Sequence, residues 1–205
     1  MLSRLSVAAL FAPMLVAPRV LPPTSLTSAK APAVWNIDPA HSGVGFTIRH
    51  FVSRVRGKFN DVKGTITADP EAWQNGTVEV EIATSSISTG NDKRDTHLRS
   101  NDFFAADSFP TITFKSTRIE RTGDAAKIYG NLTIRGVTRP VVLEGQFTGL
   151  MKSAQGDRVG FEASTTVNRL DYGVKWNRAA EGGGVMLGDE VKIEITVEAV
   201  RAKQA

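Results

Sequence analysis

Apolar and polar residues alternate along most of the chain beyond residue 40. Val191, Ile193, Ile195 and Val197 interleave with Lys192, Glu194, Thr196 and Glu198. Val78, Val80 and Ile82 do the same with Thr77, Glu79 and Glu81, and Val44, Phe46 and Ile48 with Gly45, Thr47 and Arg49. Ile112 and Phe114 alternate with Thr111, Thr113 and Lys115, and Phe161, Ala163, Thr165 and Val167 form a further set. Successive side chains of a strand point to opposite faces, so each segment carries one apolar and one wet face. That pattern belongs to antiparallel sheet covered on one side.

Turn-forming pairs separate the runs: Asp38-Pro39, Asn60-Asp61, Asp69-Pro70, Asn75-Gly76, Gly123-Asp124, Arg135-Gly136, Gly156-Asp157 and Gly188-Asp189. The pattern predicts strands over 41–50, 52–59, 62–69, 76–84, 110–120, 125–135, 137–150 and 158–169, with a closing strand over 190–200. Helical turns are predicted near 70–73 and 91–99, the second capped by Asn91 with Asp92 in its first turn. Many strands and little helix make this a mainly β domain, a sandwich or an antiparallel barrel of about eight strands. No repeat or linker argues for a second domain.

Two stretches interrupt the alternation. Arg94 to Phe104 is a charged turn of helix running into two aromatics, placed to plug or rim a barrel. Its Asp92, Asp95 and Asp102 lie beside Arg94 and Arg99, which predicts a local ion-pair cluster tying the turn down. Asp171 to Asp189 is the longest irregular stretch and contains Gly182-Gly183-Gly184 followed by Val185-Met186-Leu187. It reads either as a surface loop tucking its apolar tip onto the sheet or as a flap over a barrel mouth.

Composition narrows the chemistry. The 205 residues are 41% hydrophobic, enough for one domain with a real core. With no cysteine, disulfides, thiol nucleophiles and zinc–thiolate sites are excluded. The N-terminus reads as an export signal: a basic start at Met1 to Arg4, an apolar run from Leu5 to Val16, and small residues at Thr27-Ser28-Ala29. Cleavage after Ala29 fits, as do Ala17, Ala31 and Ala33. The expectation is a signal peptide over 1–29 that directs export, followed by one β domain. Losing Arg4 and Arg19 with the leader takes the net charge from +4 to +2, too small to imply nucleic acid. Arg49 to Lys58 is the exception, with Arg49, Arg54, Arg56 and Lys58 and no acid. Such a run serves as a solvated hairpin edge or as a patch facing anionic headgroups, so transient membrane contact stays open. Self-association into a homodimer is also left open.

Catalytic apparatus is hard to find. His41, His50 and His97 show no ligand spacing, so no metal is expected. Neither Gly-x-Ser-x-Gly nor Ser-x-x-Lys with its companions occurs. Gly43-Val44-Gly45 and Gly182-Gly183-Gly184 lack the lysine and the strand–loop–helix context of a phosphate loop. An enzymatic reading would need His50 and Asp95 to meet in a cleft.

Seven ordered segments together resemble the YceI-like proteins. They are Trp35-Asn36-Ile37-Asp38-Pro39-Ala40-His41-Ser42; Phe46-Thr47-Ile48-Arg49-His50 with Gly57-Lys58-Phe59; Arg94 to Phe104; Phe109-Pro110-Thr111-Ile112-Thr113-Phe114; Gly130-Asn131-Leu132-Thr133-Ile134-Arg135-Gly136; Asn168-Arg169-Leu170-Asp171-Tyr172-Gly173; and Gly188-Asp189-Glu190-Val191. The resemblance implies a lipocalin-like antiparallel barrel. Covering a domain over 34–200, it implies an isoprenoid lipid inside, such as an isoprenoid quinone or a prenyl pyrophosphate, a periplasmic location as in many bacterial members, no established catalysis, no metal and no other cofactor. Candidate wall residues are then the inward sets: Phe46, Ile48, Val80 and Ile82; Ile112 and Phe114; Leu132, Ile134 and Leu143; Phe161 and Val167. Phe103, Phe104, Trp176 and Met186 are candidates for the mouth, and Arg49, His50, Arg94 and Arg169 for a polar headgroup. A barrel filled by its own side chains is the competing arrangement, and interior volume decides between the two.

Overall fold

The computed structural model describes residues 32–69, 71–179, 183 and 185–203. The predicted leader over 1–29, and Gly182 and Gly184 of the glycine run, lie outside the described residues. Eleven strand segments form one antiparallel sheet: β1 (Ala33–Ile37), β2 (Gly43–His50), β3 (Ser53–Phe59), β4 (Val62–Ala68), β5 (Thr77–Ala83), β6 (Ile87–Ser88), β7 (Thr111–Thr122), β8 (Ala125–Ile134), β9 (Val137–Met151), β10 (Arg158–Asn168) and β11 (Leu187–Arg201). One helix, α1 (Asp92–Arg99), and 3₁₀ turns at Trp73–Asn75, Thr84–Ser86 and Arg169–Tyr172 complete the fold.

The order β1-β4-β5-β7-β8-β9-β10-β11 returns to β1, where Trp35, Asn36 and Ile37 pair with Arg201, Val200 and Ala199. The result is a closed eight-stranded barrel. Along the same edge of β11, β2 pairs through Val191 to Thr196, so β1 and β2 act as one stave bent at residues 38–42. β3 and β4 form the next bent stave, and β5 and β6 the third, broken by the Thr84–Ser86 turn. The chain thus runs up and down, each stave beside its predecessor, and closure removes exposed sheet edges.

Connections fall into two groups. At one end, called the helix end, lie the 51–52 hairpin tip, the 89–110 connection with α1, the 135–136 turn and the described residues of the 169–186 loop. At the far end lie the 69–76 connection, the 123–124 turn and the 152–157 loop. The Arg135-Gly136 turn has both residues at positive φ, +51° and +74°, the left-handed geometry a two-residue hairpin needs. A Cβ on Gly136 would stand 2.8 Å from the Phe109 ring.

Three features differ from the sequence expectation. The stave-closing β1 was not anticipated, although Ala33, Trp35 and Ile37 are buried and Val34 and Asn36 exposed. Its five residues are few, and Pro39 follows at once. The first helical turn sits at Trp73–Asn75 rather than 70–73. The anticipated pairing of Asp92, Asp95 and Asp102 with Arg94 and Arg99 does not form among the described residues, and Asp102 meets His97 instead. Asp95, only 4% exposed, instead accepts hydrogen bonds from the Thr89 N–H and hydroxyl. Arg94 donates to the Thr89 hydroxyl and carbonyl, and Arg99 to the carbonyls of Ser85 and Ile87. The reason is local: strand-end carbonyls without ladder partners attract the guanidinium forks. The helix itself follows expectation, with the Asn91 side chain accepting from the Arg94 N–H at 3.0 Å.

Candidate functional site

The inward faces of the staves do not meet. They enclose a cavity of about 620 Å³, within the roughly 300–1,000 Å³ typical of small-molecule pockets. A filled core is therefore not what this barrel has. All the candidate wall residues face the cavity: Phe46, Ile48, Val80, Ile82, Ile112, Phe114, Leu132, Ile134, Leu143, Phe161 and Val167. Phe103, Phe104, Trp176 and Met186 line it at the helix end, as do His50 and Arg94.

Arg49 and Arg169 are placed differently from the expectation. Arg49 is exposed, is not part of the lining, and donates to the Phe51 carbonyl at 3.3 Å. Its neighbour His50 points inward, so the strand pleat turns Arg49 out. Arg169 borders the cavity but is 5% exposed, with four of its five N–H donors engaged. Nε donates to the Gly188 carbonyl (2.9 Å), Nη1 to the carbonyls of Val174 (2.6 Å) and Trp176 (2.9 Å), and Nη2 to Asp189 Oδ1 (3.3 Å). Burial lowers its pKa from the usual arginine value, and Asp189 partly offsets this. Arg169 is a clamp on the 169–188 segment. Arg135 does the same for the opposite side of this end, donating to the carbonyls of Phe103, Gly173 and Asn101.

At the helix end α1 and the loop meet through aromatic contacts. The His97 ring lies 5.0 Å from both Phe103 and Trp176, edge to face, and Phe103 lies 5.1 Å from Trp176. His97 Nε2 is held by Asp102 at 2.8 Å. Phe104 turns its edge to Phe59 at 5.8 Å. Asn91, Lys93 and Arg94 are exposed yet border the cavity, so it opens to solvent there beneath a rim of cations.

The far end is closed by aromatic packing that the alternation did not reveal. Trp73, on its 3₁₀ turn, stacks within 5.7 Å of Trp35, 5.1 Å of Phe161 and 6.3 Å of Phe147. Trp35 is fully buried and Trp73 5% exposed. Arg121, whose guanidinium covers the Phe147 ring at 5.2 Å, and Asp124 border the cavity there. Phe147 could have been found from the β9 alternation through Val141 and Leu143; nothing in the sequence marks Trp73, Lys93 or Arg121.

No hydrogen bond joins His50 to Asp95 among the described residues, and Asp95 is occupied by Thr89. One metal-like grouping, Asp38, His41 and Glu198, lies on the outer wall. Arg158 Nη1 already donates to both carboxylates. A cation there would have to displace a guanidinium, so the set fits an ion-pair network better than a metal. The His41 ring, the Ala40 N–H and Arg158 together hold the Asp38 carboxyl at about 2.

Enclosed by the staves and lined mostly by apolar side chains, this interior defines a small-molecule-binding β-barrel. The YceI-like domain model matches residues 35–199, and the chain belongs to that family. UPF0312 protein SAB2563 of Staphylococcus aureus is 38% identical over 167 residues, spanning 80% of this chain and 95% of that relative. Burkholderia cenocepacia BcnA superposes with a TM-score of 0.69 at 22% identity, over 80% of this chain and 99% of BcnA. A polyisoprenoid binding domain from Saccharophagus degradans, implicated in plant cell wall breakdown, superposes with a TM-score of 0.62 at 15% identity, over 84% of this chain and all of that domain.

Proposed function

We propose that the protein is a binding protein, not an enzyme, that holds the apolar chain of an isoprenoid lipid in its barrel and serves as a periplasmic carrier or store delivered by its N-terminal leader. The observation that carries this reading is the apolar cavity of about 620 Å³. A water needs two to four polar partners to be held stably, and the middle of this lining offers few. At about 30 Å³ per water-sized group the cavity accommodates about twenty such groups. Counting five carbons per isoprene unit, that is about four units. Each buried CH₂ is worth about 0.8 kcal/mol, so this length gives useful affinity even after ordering costs. The polyisoprenoid-binding Saccharophagus domain shares the barrel and so supports the ligand class. The rim of His50, Lys93 and Arg94 suits an anionic or hydrogen-bond-accepting headgroup left outside the apolar interior. Burial is non-directional, so selectivity for the headgroup is expected to be loose.

The test is native mass spectrometry of protein purified from its source, with lipid extraction and titration of the emptied barrel with a prenyl quinone. Saturable uptake at one molecule per barrel supports the proposal. Absence of both a co-purifying apolar ligand and saturable uptake would overturn it.

A further inference from the structure

Ringing the cavity mouth is a surface of which the ligand reading uses only Lys93. The hairpin tip between β2 and β3 presents Val52, fully exposed, and Phe51 at 39% exposure. Beside the tip, next to the Met186 carbonyl that accepts from the Phe51 N–H, Val185 is 47% exposed. Large apolar side chains at the tip of a two-residue hairpin are unfavourable in water, and Phe51 carries a further penalty. Its φ is +49°, a left-handed conformation that is a genuine outlier for a bulky side chain. The neighbours hold it there: the Phe51 N–H donates to the Met186 carbonyl at 2.8 Å, and Arg49 grips the Phe51 carbonyl. Backbone strain and the loop contact thus fix two apolar side chains outward at the end where the cavity opens.

Cations surround them. Arg49 and Arg54 flank the tip, Lys93 stands on α1, and Lys175 and Arg178 lie on the loop, all exposed. None of the five forms an ion pair among the described residues, whereas Lys63, Lys115, Lys127 and Lys192 on the barrel wall each pair with an acid. Of the acids at this end, Asp102 is taken by His97 and Asp189 by Arg169, while Asp92, Asp107 and Asp171 are exposed with no ion pair among the described residues.

We infer that the helix end is a docking face for an anionic bilayer surface, with Phe51 and Val52 entering the headgroup region and the unpaired cations engaging lipid phosphates. Apolar protrusions ringed by basic residues are the combination that lies in a membrane interface. Each such cation near an anionic surface contributes roughly a fivefold gain in partitioning. Docking would set His50, Lys93, Trp176 and Met186 against the headgroups, so that a chain passes between bilayer and barrel without crossing water. That purpose rests on the ligand reading; the docking itself does not.

Flotation with vesicles separates the two. The full protein is mixed with phosphatidylcholine vesicles or with vesicles containing phosphatidylglycerol. The wild type is expected to float with the anionic vesicles only, and to be released by high salt. Val52→Asp and Arg54→Glu are each expected to lower partitioning about tenfold, while prenyl quinone uptake in detergent solution stays unchanged. In Val52→Trp, the indole emission should shift to the blue on anionic vesicles. Absence of flotation by the wild type, or equal flotation by Val52→Asp, would overturn the inference. So would a Val52-dependent dimer in sedimentation experiments without vesicle binding, since the patch would then be covered by a second copy. Loss of quinone uptake with flotation intact would overturn the ligand reading and leave docking standing.

Discussion

Replacing Arg169 with methionine tests how the barrel mouth is held. Methionine fills similar space, so the loss is confined to hydrogen bonds. Four contacts disappear: to the carbonyls of Gly188, Val174 and Trp176 and to Asp189. Hydrogen bonds to a charged group contribute about 1.5–3 kcal/mol each, and an orphaned buried acceptor costs about 1–3 kcal/mol. The Val174 residue is 5% exposed, so its carbonyl has little access to water. The Asp189 side chain is half exposed and rehydrates at little cost. Because the four bonds share one side chain they do not add, and a net loss of about 3–5 kcal/mol is expected, as for breaking a buried charge pair. For a domain of this size, that lowers Tm by about 10 °C. Arg169→Lys keeps the charge but loses the planar fork, and should forfeit about half as much. Asp189→Asn should cost less than about 1 kcal/mol. Urea unfolding of the three variants, with unchanged slope, measures these values. The clamp argument fails if Arg169→Met lies within about 1 kcal/mol of wild type, or if Asp189→Asn is as damaging as Arg169→Met.

Further outcomes follow from other sites. The folded pKa of Asp38, about 2, lies below the ordinary 3.8, so the unfolded chain binds this proton more readily. Its stabilising contribution is therefore complete above about pH 4 and disappears as pH falls toward 2; thermal unfolding followed across this window should show a slope that Asp38→Asn flattens. A Cβ on Gly130 would lie 2.4 Å from the Phe114 ring and 2.7 Å from the Lys115 carbonyl oxygen. Gly130→Ala should thus destabilise by about 1–3 kcal/mol and weaken prenyl quinone uptake by displacing a wall residue; equal unfolding midpoints would refute this. Ala163 borders the cavity in the middle of β10. Ala163→Trp should abolish uptake in a titration without lowering the urea midpoint, and full retention of uptake would show that the chain does not lie there.

The barrel was legible because every stave repeats the same two-residue alternation, and nearly every predicted strand matches an observed one within a few residues. What was hidden has physical causes. β1 is five residues long, too short for alternation to stand out from the apolar stretch before it. The bends at 38–42, 60–61 and 84–86 turn three pairs of segments into single staves, which only the pairing reveals. Whether inward side chains meet or leave a void cannot be read from alternation, since a filled barrel and a hollow one share it. The inward-facing residues are therefore legible in the sequence, while the volume they enclose is not. Arginines were the weakest reading. Arg49 could have been excluded by the pleat, because His50 beside it faces in. Arg169 could not, because three of its four partners are backbone carbonyls, which leave no trace in side-chain identity. The Asp38–Arg158–Glu198 network joins residues 120 and 40 positions apart along the chain, beyond any local pattern.

The account stands or falls on how affinity depends on chain length. Calorimetric titration of the emptied barrel with prenyl alcohols of one to eight isoprene units isolates the cavity from the headgroup rim. Kd should fall with each added unit up to about four, where the enclosed volume is used up, and then level off. Affinity independent of length, or no saturable binding at any length, would contradict the claim that this hollow sheathes an isoprenoid chain.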